Sequence, residues 1–129
     1  MYVVERAKKI KEQLKLVHDE KTKVVEINLS VTKRLESFNK NYRNVEMCLI
    51  EAQQGKNDFD KYGKAVIGLF NIVFGEKETQ EIIEFYDCDY SEMLIDIFPF
   101  INNVITPAFI KERNRRMKQI KNNFKQQRF

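Results

Sequence analysis

Apolar side chains recur every three or four residues along most of this chain, a spacing that places them on one face of an α-helix. The first half contains two such series: Val3, Ala7, Ile10, Leu14 and Val17, followed by Val24, Ile27, Val31, Leu35, Phe38, Tyr42, Val45, Leu49 and Ala52. We therefore expect a mainly all-α fold, a compact bundle of about five helices with a projecting C-terminal helix.

Residues 22–30 carry a second pattern on top of the first. Apolar residues alternate there with polar ones, which is the period of a half-exposed strand, at Val25, Ile27, Leu29 and Val31. We expect either a break between helices or a short extended segment here. Ser30 would then be the N-cap of a helix from Val31 to about Gln53.

Glycines and acidic residues predict the boundaries of the middle helices. Gly55 ends the first long helix, and the next runs from Phe59 to Phe74 and stops at Gly75. Gly63 and Gly68 lie inside that helix, where glycine is unfavourable, and so indicate close approach by another helix.

A short helix follows Gly75, and the sequence Asp87-Cys88-Asp89 breaks it. Asp89 suits the N-cap of a further helix that starts at Tyr90. Pro99 and Pro107 each remove a backbone donor, so the segment up to Ile110 is expected to be kinked or divided. We assign one domain over residues 1–129, with a helical leader at 1–21, a core at 22–110 and a basic C-terminal helix or tail at 111–129.

Charge is distributed unevenly along the chain. The net charge is +4, but residues 111–129 hold eight basic residues against Glu112, while residues 76–96 hold eight carboxylates against Lys77. A thin apolar stripe runs through the basic segment. The candidate partner-binding residues are Arg113, Arg116, Met117, Ile120 and Phe124.

Three readings of this basic segment remain open. It docks on protein, including the acidic segment of the same or a neighbouring chain; it binds nucleic acid through phosphate contacts; or it is a solvated helix end. The recognition motifs that usually accompany nucleic-acid binding, such as zinc knuckles or aromatic RNA-binding signatures, do not occur in the sequence.

The sequence holds few candidates for chemistry. His18 is its one histidine, Cys48 and Cys88 have no CxxC companion and are expected to be buried, and the acidic stretch lacks the glycine of a calcium loop. Phosphate-binding glycine motifs are also missing. We therefore expect neither enzymatic activity nor a metal or cofactor.

Two further features bear on location. The N-terminus does not have the pattern of a signal peptide, and the apolar stretch from Ile97 to Ile110 contains two prolines and falls short of the ~20 residues that a bilayer requires. We expect a cytoplasmic protein that does not enter a membrane.

The sequence YGKAVIGLFNIVFGE at residues 62–76, followed by a short acidic helix and the apolar segment from Met93 to Ile105, resembles tail assembly chaperones of long-tailed bacteriophages and prophages of Gram-positive bacteria. The segment from Glu26 to Glu36 is similar to the start of those proteins, and the resemblance covers roughly residues 24–110. It implies a helical protein of the bacterial host cytoplasm that binds the tape measure protein, assists assembly of tail tube subunits and self-associates.

Overall fold

The computed structural model describes residues 1–4, 9–56 and 58–126. For residues 125 and 126 it describes the backbone alone. A β-hairpin comes first, and helices make up most of the rest. The elements are β1 (Ile10–His18), β2 (Lys21–Leu29), α1 (Val31–Gln53), α2 (Phe59–Phe74), α3 (Glu76–Phe85), α4 (Tyr90–Phe100), a π-helical turn (Ile101–Ile105) and α5 (Thr106–Gln126). The fold is mainly helical, as predicted, but it is not all-α.

The hairpin corrects the prediction of a helical leader over residues 1–21. β1 pairs with β2 in antiparallel register from Ile10 opposite Leu29 to His18 opposite Lys21. The two-residue turn between the strands places Asp19 in the left-handed region, at φ 52°, which Asp tolerates better than most residues. Residues 5–8 of the predicted leader lie outside the described part of the chain.

The helical reading of β1 failed because a spacing of four suits both structures. Ile10 and Leu14 share a face in a helix and also in a strand, where every second residue points the same way. The structure buries Leu16 and exposes Val17, the reverse of what the helical series requires. In β2, Val25, Ile27 and Leu29 are buried, so the extended alternative for residues 22–30 is the one adopted.

Local capping chemistry places the helix starts where the sequence predicts them. The side chains of Ser30, Asp58 and Asp89 each accept a hydrogen bond from a backbone N–H three residues on, at the start of α1, α2 and α4. Each bond satisfies one of the backbone donors that a helix leaves free at its N-terminus. These three boundaries are confirmed.

Helix α2 crosses close to its neighbours, as its glycines indicate. A Cβ on Gly63 would lie 3.0 Å from the ring of Tyr90, and one on Gly68 would lie 2.6 Å from Oδ1 of Asn41. Gly75 ends the helix at φ 85° and ψ 159°, a conformation open essentially to glycine alone.

The last helical segment, from α4 to α5, continues through Pro99 and Pro107. The predicted division of the helix at these prolines therefore does not occur. α4, the π turn and α5 form one continuous helix in which the hydrogen-bond spacing widens between Ile101 and Ile105. The wide turn comes directly before Pro107, whose ring would clash with the carbonyl of Asn103 in a regular α-helix.

The core joins the hairpin to all five α-helices. β2 packs on α2 and α3, and α1 packs on both α2 and α5. The fully or almost fully buried side chains of these elements and of the π turn include Val25, Val45, Val66, Leu69, Phe70, Ile82, Met93, Ile97, Ile101, Ile105 and Phe109.

Candidate protein-docking surface

The first half of α5 is fixed against α1 by aromatic stacking. The ring of Phe109 lies parallel to that of Phe38, with centroids 4.1 Å apart and 5° between the planes. Phe38 also contacts Tyr42, whose hydroxyl donates a hydrogen bond of 2.7 Å to Oδ1 of Asn102 in the π turn. Burial is the main reason why the pKa of the Tyr42 hydroxyl is raised, with a smaller effect of Glu46. α5 is therefore held on α1 along one face.

A buried charge network anchors α5 one turn further on. Glu112 is only 5% exposed, and its Oε1 accepts hydrogen bonds from Arg115 Nη2 at 2.6 Å and Arg116 Nε at 3.1 Å. The hydrogen bond from Arg115 is the largest cause of the lowered pKa of Glu112, and Arg116 adds to it. Arg116 also donates from Nη2 to the backbone carbonyl of Thr32. The one carboxylate of α5 is thus withdrawn from the surface.

A groove of about 570 Å³ runs between α1 and α5. We call it the α1–α5 groove. Its apolar part is aromatic and aliphatic, and its charged side chains are three bases and one acid. The lining residues are Phe38, Asn39, Lys40, Tyr42, Arg43, Asn44 and Glu46 from α1 and Thr106, Phe109, Ile110 and Arg113 from α5.

From the groove wall onward, α5 exposes a row of side chains that we call the α5 seam: Ile110, Arg113, Met117, Ile120 and Phe124. The four apolar members are 44%, 53%, 60% and 63% exposed in chain order. Large apolar side chains exposed in a row are typical of surfaces that contact other proteins. The exposed charged side chains of α5 as far as Phe124 are all basic: Lys111, Arg113, Arg115, Lys118 and Lys121.

The structure separates the five candidate partner-binding residues into two groups. Arg113, Met117, Ile120 and Phe124 lie together on the α5 seam, whereas Arg116 faces α1 and is bonded to Glu112 and Thr32. Sequence reasoning missed the contribution of α1, because the groove joins residues about 70 positions apart and their helix spacing alone does not reveal the pairing.

In the part of the chain that the structure describes, the acidic segment at residues 76–96 is not among the main packing partners of α5. The main packing contacts of α5 are with α1 and the π turn. Lys23 of the hairpin instead pairs with Glu81, with 2.5 Å between Nζ and Oε2, and lies 3.7 Å from Glu78. Hydrogen bonding to Lys23 is the largest cause of the lowered pKa of Glu81.

The two cysteines differ in their surroundings. Cys48 is buried, as predicted, beside a cleft of about 310 Å³ formed by α1, α2 and α4, whereas Cys88 is exposed, which corrects its prediction. Burial is the largest cause of the raised pKa of the Cys48 thiol, which favours the protonated form over the nucleophilic thiolate. Among residues 1–4, 9–56 and 58–126, no group of three His, Cys, Asp or Glu side chains is placed to hold a metal ion.

Among the described residues, one helix meets a simple criterion for crossing a membrane. The segment from Tyr90 to Phe124 contains an 18-residue stretch that is long and apolar enough by length and composition. A third of that stretch is buried in the protein, including Ile97, Ile101 and Ile105, and core helices of globular proteins meet the same criterion.

Comparison with protein-family models, with curated proteins and with solved structures gave no match. We therefore infer a function from the geometry of the α1–α5 groove and the α5 seam.

Proposed function

We propose that this chain is a non-enzymatic assembly factor that binds another protein through the α5 seam and the α1–α5 groove. The observation that carries the proposal is the contrast between the two faces of α5. One face is fixed by Phe109, Glu112 and Arg116, while the neighbouring face presents Met117 and Ile120 more than half exposed. A helix that is anchored along one face and exposes an apolar row on the next is suited to helix-in-groove recognition.

The resemblance to phage tail assembly chaperones supplies a specific client. On this proposal the chain binds the tape measure protein in the bacterial cytoplasm and assists assembly of tail tube subunits. A tape measure protein is a long helical client, and the α5 seam offers apolar side chains at helical spacing to such a client. The resemblance also leads us to propose self-association of the chain.

Co-expression with a tape measure protein from the same genome tests this function. We expect a stable complex by pull-down from either partner and its loss in Ile120→Glu. Ile95→Glu is the matched control, because Ile95 is 65% exposed, close to the 60% of Ile120, and lies outside the groove and the seam. Failure of capture in both orientations, or equal loss in both variants, would count against the proposal.

The basic character of α5 supports nucleic acid as an alternative partner. Lys111, Arg113, Arg115, Lys118 and Lys121 are all exposed. Phosphate contacts by such residues would make the affinity for DNA fall steeply as salt concentration rises. Measuring DNA binding between low and physiological salt decides this alternative: tight binding with a steep salt dependence that is unchanged in Ile120→Glu would favour it over protein binding.

A further inference from the structure

The α5 seam has the spacing of a coiled-coil heptad. Its members follow one another at intervals of three, four, three and four residues from Ile110 to Phe124. Such spacing keeps a row of side chains facing a second helix laid alongside the first, whereas strands and irregular segments do not match it. Two heptads extend about 21 Å along the helix at about 1.5 Å per residue.

The groove next to the seam widens the surface available to that second helix. Ile110 and Arg113 belong to both the seam and the groove wall, so a helix lying on the seam also meets the side chains of Tyr42 and Arg43 on α1. Two heptads alone form a short contact, and the groove adds a second wall. The geometry thus suits one helix that lies over the groove where α1 and α5 meet.

Charge determines which helix fits. Three bases, Lys40, Arg43 and Arg113, line the groove against the acid Glu46. The acid of α5 itself, Glu112, is buried and paired. Exposed basic side chains therefore flank the apolar row on α5, and opposite charges on the partner are needed to complement them.

A second α5 does not meet that requirement. Two copies of the seam laid side by side in parallel would place Arg113 against Arg113 and bring the basic flanks together, and like charges at an interface are unfavourable. Nucleic acid would satisfy the bases, but its phosphate backbone has no apolar surface with which to cover Ile110, Met117 and Ile120.

We infer that the α5 seam and the α1–α5 groove bind an amphipathic helix of another protein whose apolar heptad stripe is flanked by Asp and Glu. This inference rests on the proposed function and specifies the chemistry of the partner. Apolar packing supplies contact area, and Arg113 and Lys121 select an acidic helix over a basic one.

Two synthetic helical peptides of about three heptads test the inference. They share leucines at the seam positions and differ in carrying either Glu or Lys at the flanking positions. In fluorescence anisotropy titrations with the full chain, we expect the Glu peptide to bind at least about tenfold more tightly than the Lys peptide. Ile120→Glu should weaken Glu-peptide binding at least about tenfold, and Ile95→Glu should not change it.

A charge reversal provides the decisive comparison. The double variant Arg113→Glu with Lys121→Glu should prefer the Lys peptide, whereas Lys64→Glu with Lys77→Glu, an equal change at exposed sites on α2 and α3, should keep the wild-type preference. Circular dichroism verifies that each variant retains its helices.

Equal affinity for the two peptides, or an unchanged preference after reversal, would overturn the inference. Self-association of the chain that is abolished by Ile120→Glu would also overturn the inference, because the α5 seam would then be occupied by a second copy. DNA binding that competes with the Glu peptide and is insensitive to Ile120→Glu would overturn it in favour of nucleic acid. If neither peptide binds but the tape measure complex forms and depends on Ile120, the inference fails while the proposed function stands.

Discussion

The guanidinium of Arg116 donates a hydrogen bond to the backbone carbonyl of Thr32, 84 residues earlier in the chain. Thr32 lies in the first turn of α1, just after the N-cap residue Ser30. The same guanidinium is hydrogen-bonded to the buried carboxylate of Glu112. This contact joins the beginning of α1 to the middle of α5.

Replacing Arg116 with Gln should lower the free energy of unfolding by about 1–2 kcal/mol, because the hydrogen bond to Thr32 and one of the three hydrogen bonds to Glu112 are lost. Urea denaturation measures this difference. Arg113→Gln is the matched control, since Arg113 is exposed and should change stability by no more than about 0.5 kcal/mol. Equal effects of the two substitutions would show that the Thr32 contact contributes nothing to stability.

Glu112 should make stability depend on pH in the acidic range. Its pKa is lowered from the ordinary value of 4.5, so the charged form is favoured by folding, and the stabilisation is fully present above pH 4.5. It is lost as the pH falls through the lowered pKa. Glu112→Gln should cost about 1–3 kcal/mol at pH 7, and its deficit relative to wild type should shrink below pH 4.5. A deficit that is constant with pH would contradict the assignment.

The sequence predicts those parts of the fold that depend on interactions between residues close together in the chain. Ser30, Asp58 and Asp89 cap helices through bonds to residues three positions on, so short sequence patterns are sufficient to predict them. The hairpin is different, because the spacing of Ile10 and Leu14 is compatible with a helix and with a strand. The choice between helix and strand depends on how these two side chains pack against the rest of the core, which is a tertiary interaction.

The candidate docking surface likewise has one part that the sequence predicts and one part that it does not. The apolar row at Met117, Ile120 and Phe124 is visible in the sequence because helical spacing alone produces it. The α1–α5 groove is not, since it depends on the stacking of Phe109 on Phe38. The structural use of Arg116 was also hidden, because its partner Thr32 is distant in sequence.

Phe70 should be among the most sensitive core positions. It is fully buried in α2 and meets Phe74 edge-on, with 5.4 Å between ring centroids. Phe70→Ala should destabilise the protein by about 3–5 kcal/mol, the range for large buried aromatics. Phe59→Ala, in the same helix but at a side chain that is 76% exposed, should have little effect on the thermal midpoint. An unchanged midpoint for Phe70→Ala would mean that α2 is not part of the core.

Substitution of Gly75 should lower the stability of the protein because of its backbone conformation alone. A Cβ there would meet nothing within 4 Å, yet the residue sits at φ 85° and ψ 159°. Gly75→Ala should therefore cost about 1–3 kcal/mol in strain, measured by chemical denaturation. Lys77→Ala, at an exposed site in the next turn, serves as the control. A cost no larger than that of the control would show that the chain between α2 and α3 adopts another conformation.

Two truncations should separate folding from binding within α5. A chain ending at Met117 retains Phe109, Glu112 and Arg116, so it should unfold with a free energy within about 0.5 kcal/mol of the full chain, because the contacts that hold α5 on α1 are kept. It lacks Ile120 and should lose partner binding. A chain ending at Ile110 also loses the Glu112 and Arg116 contacts and should be less stable by at least about 1 kcal/mol.

Urea denaturation and pull-down on the same two proteins provide both readouts. If the chain ending at Met117 still captured the partner at full affinity, the exposed end of α5 would have no part in binding, and the docking surface would be reduced to the groove beside α1.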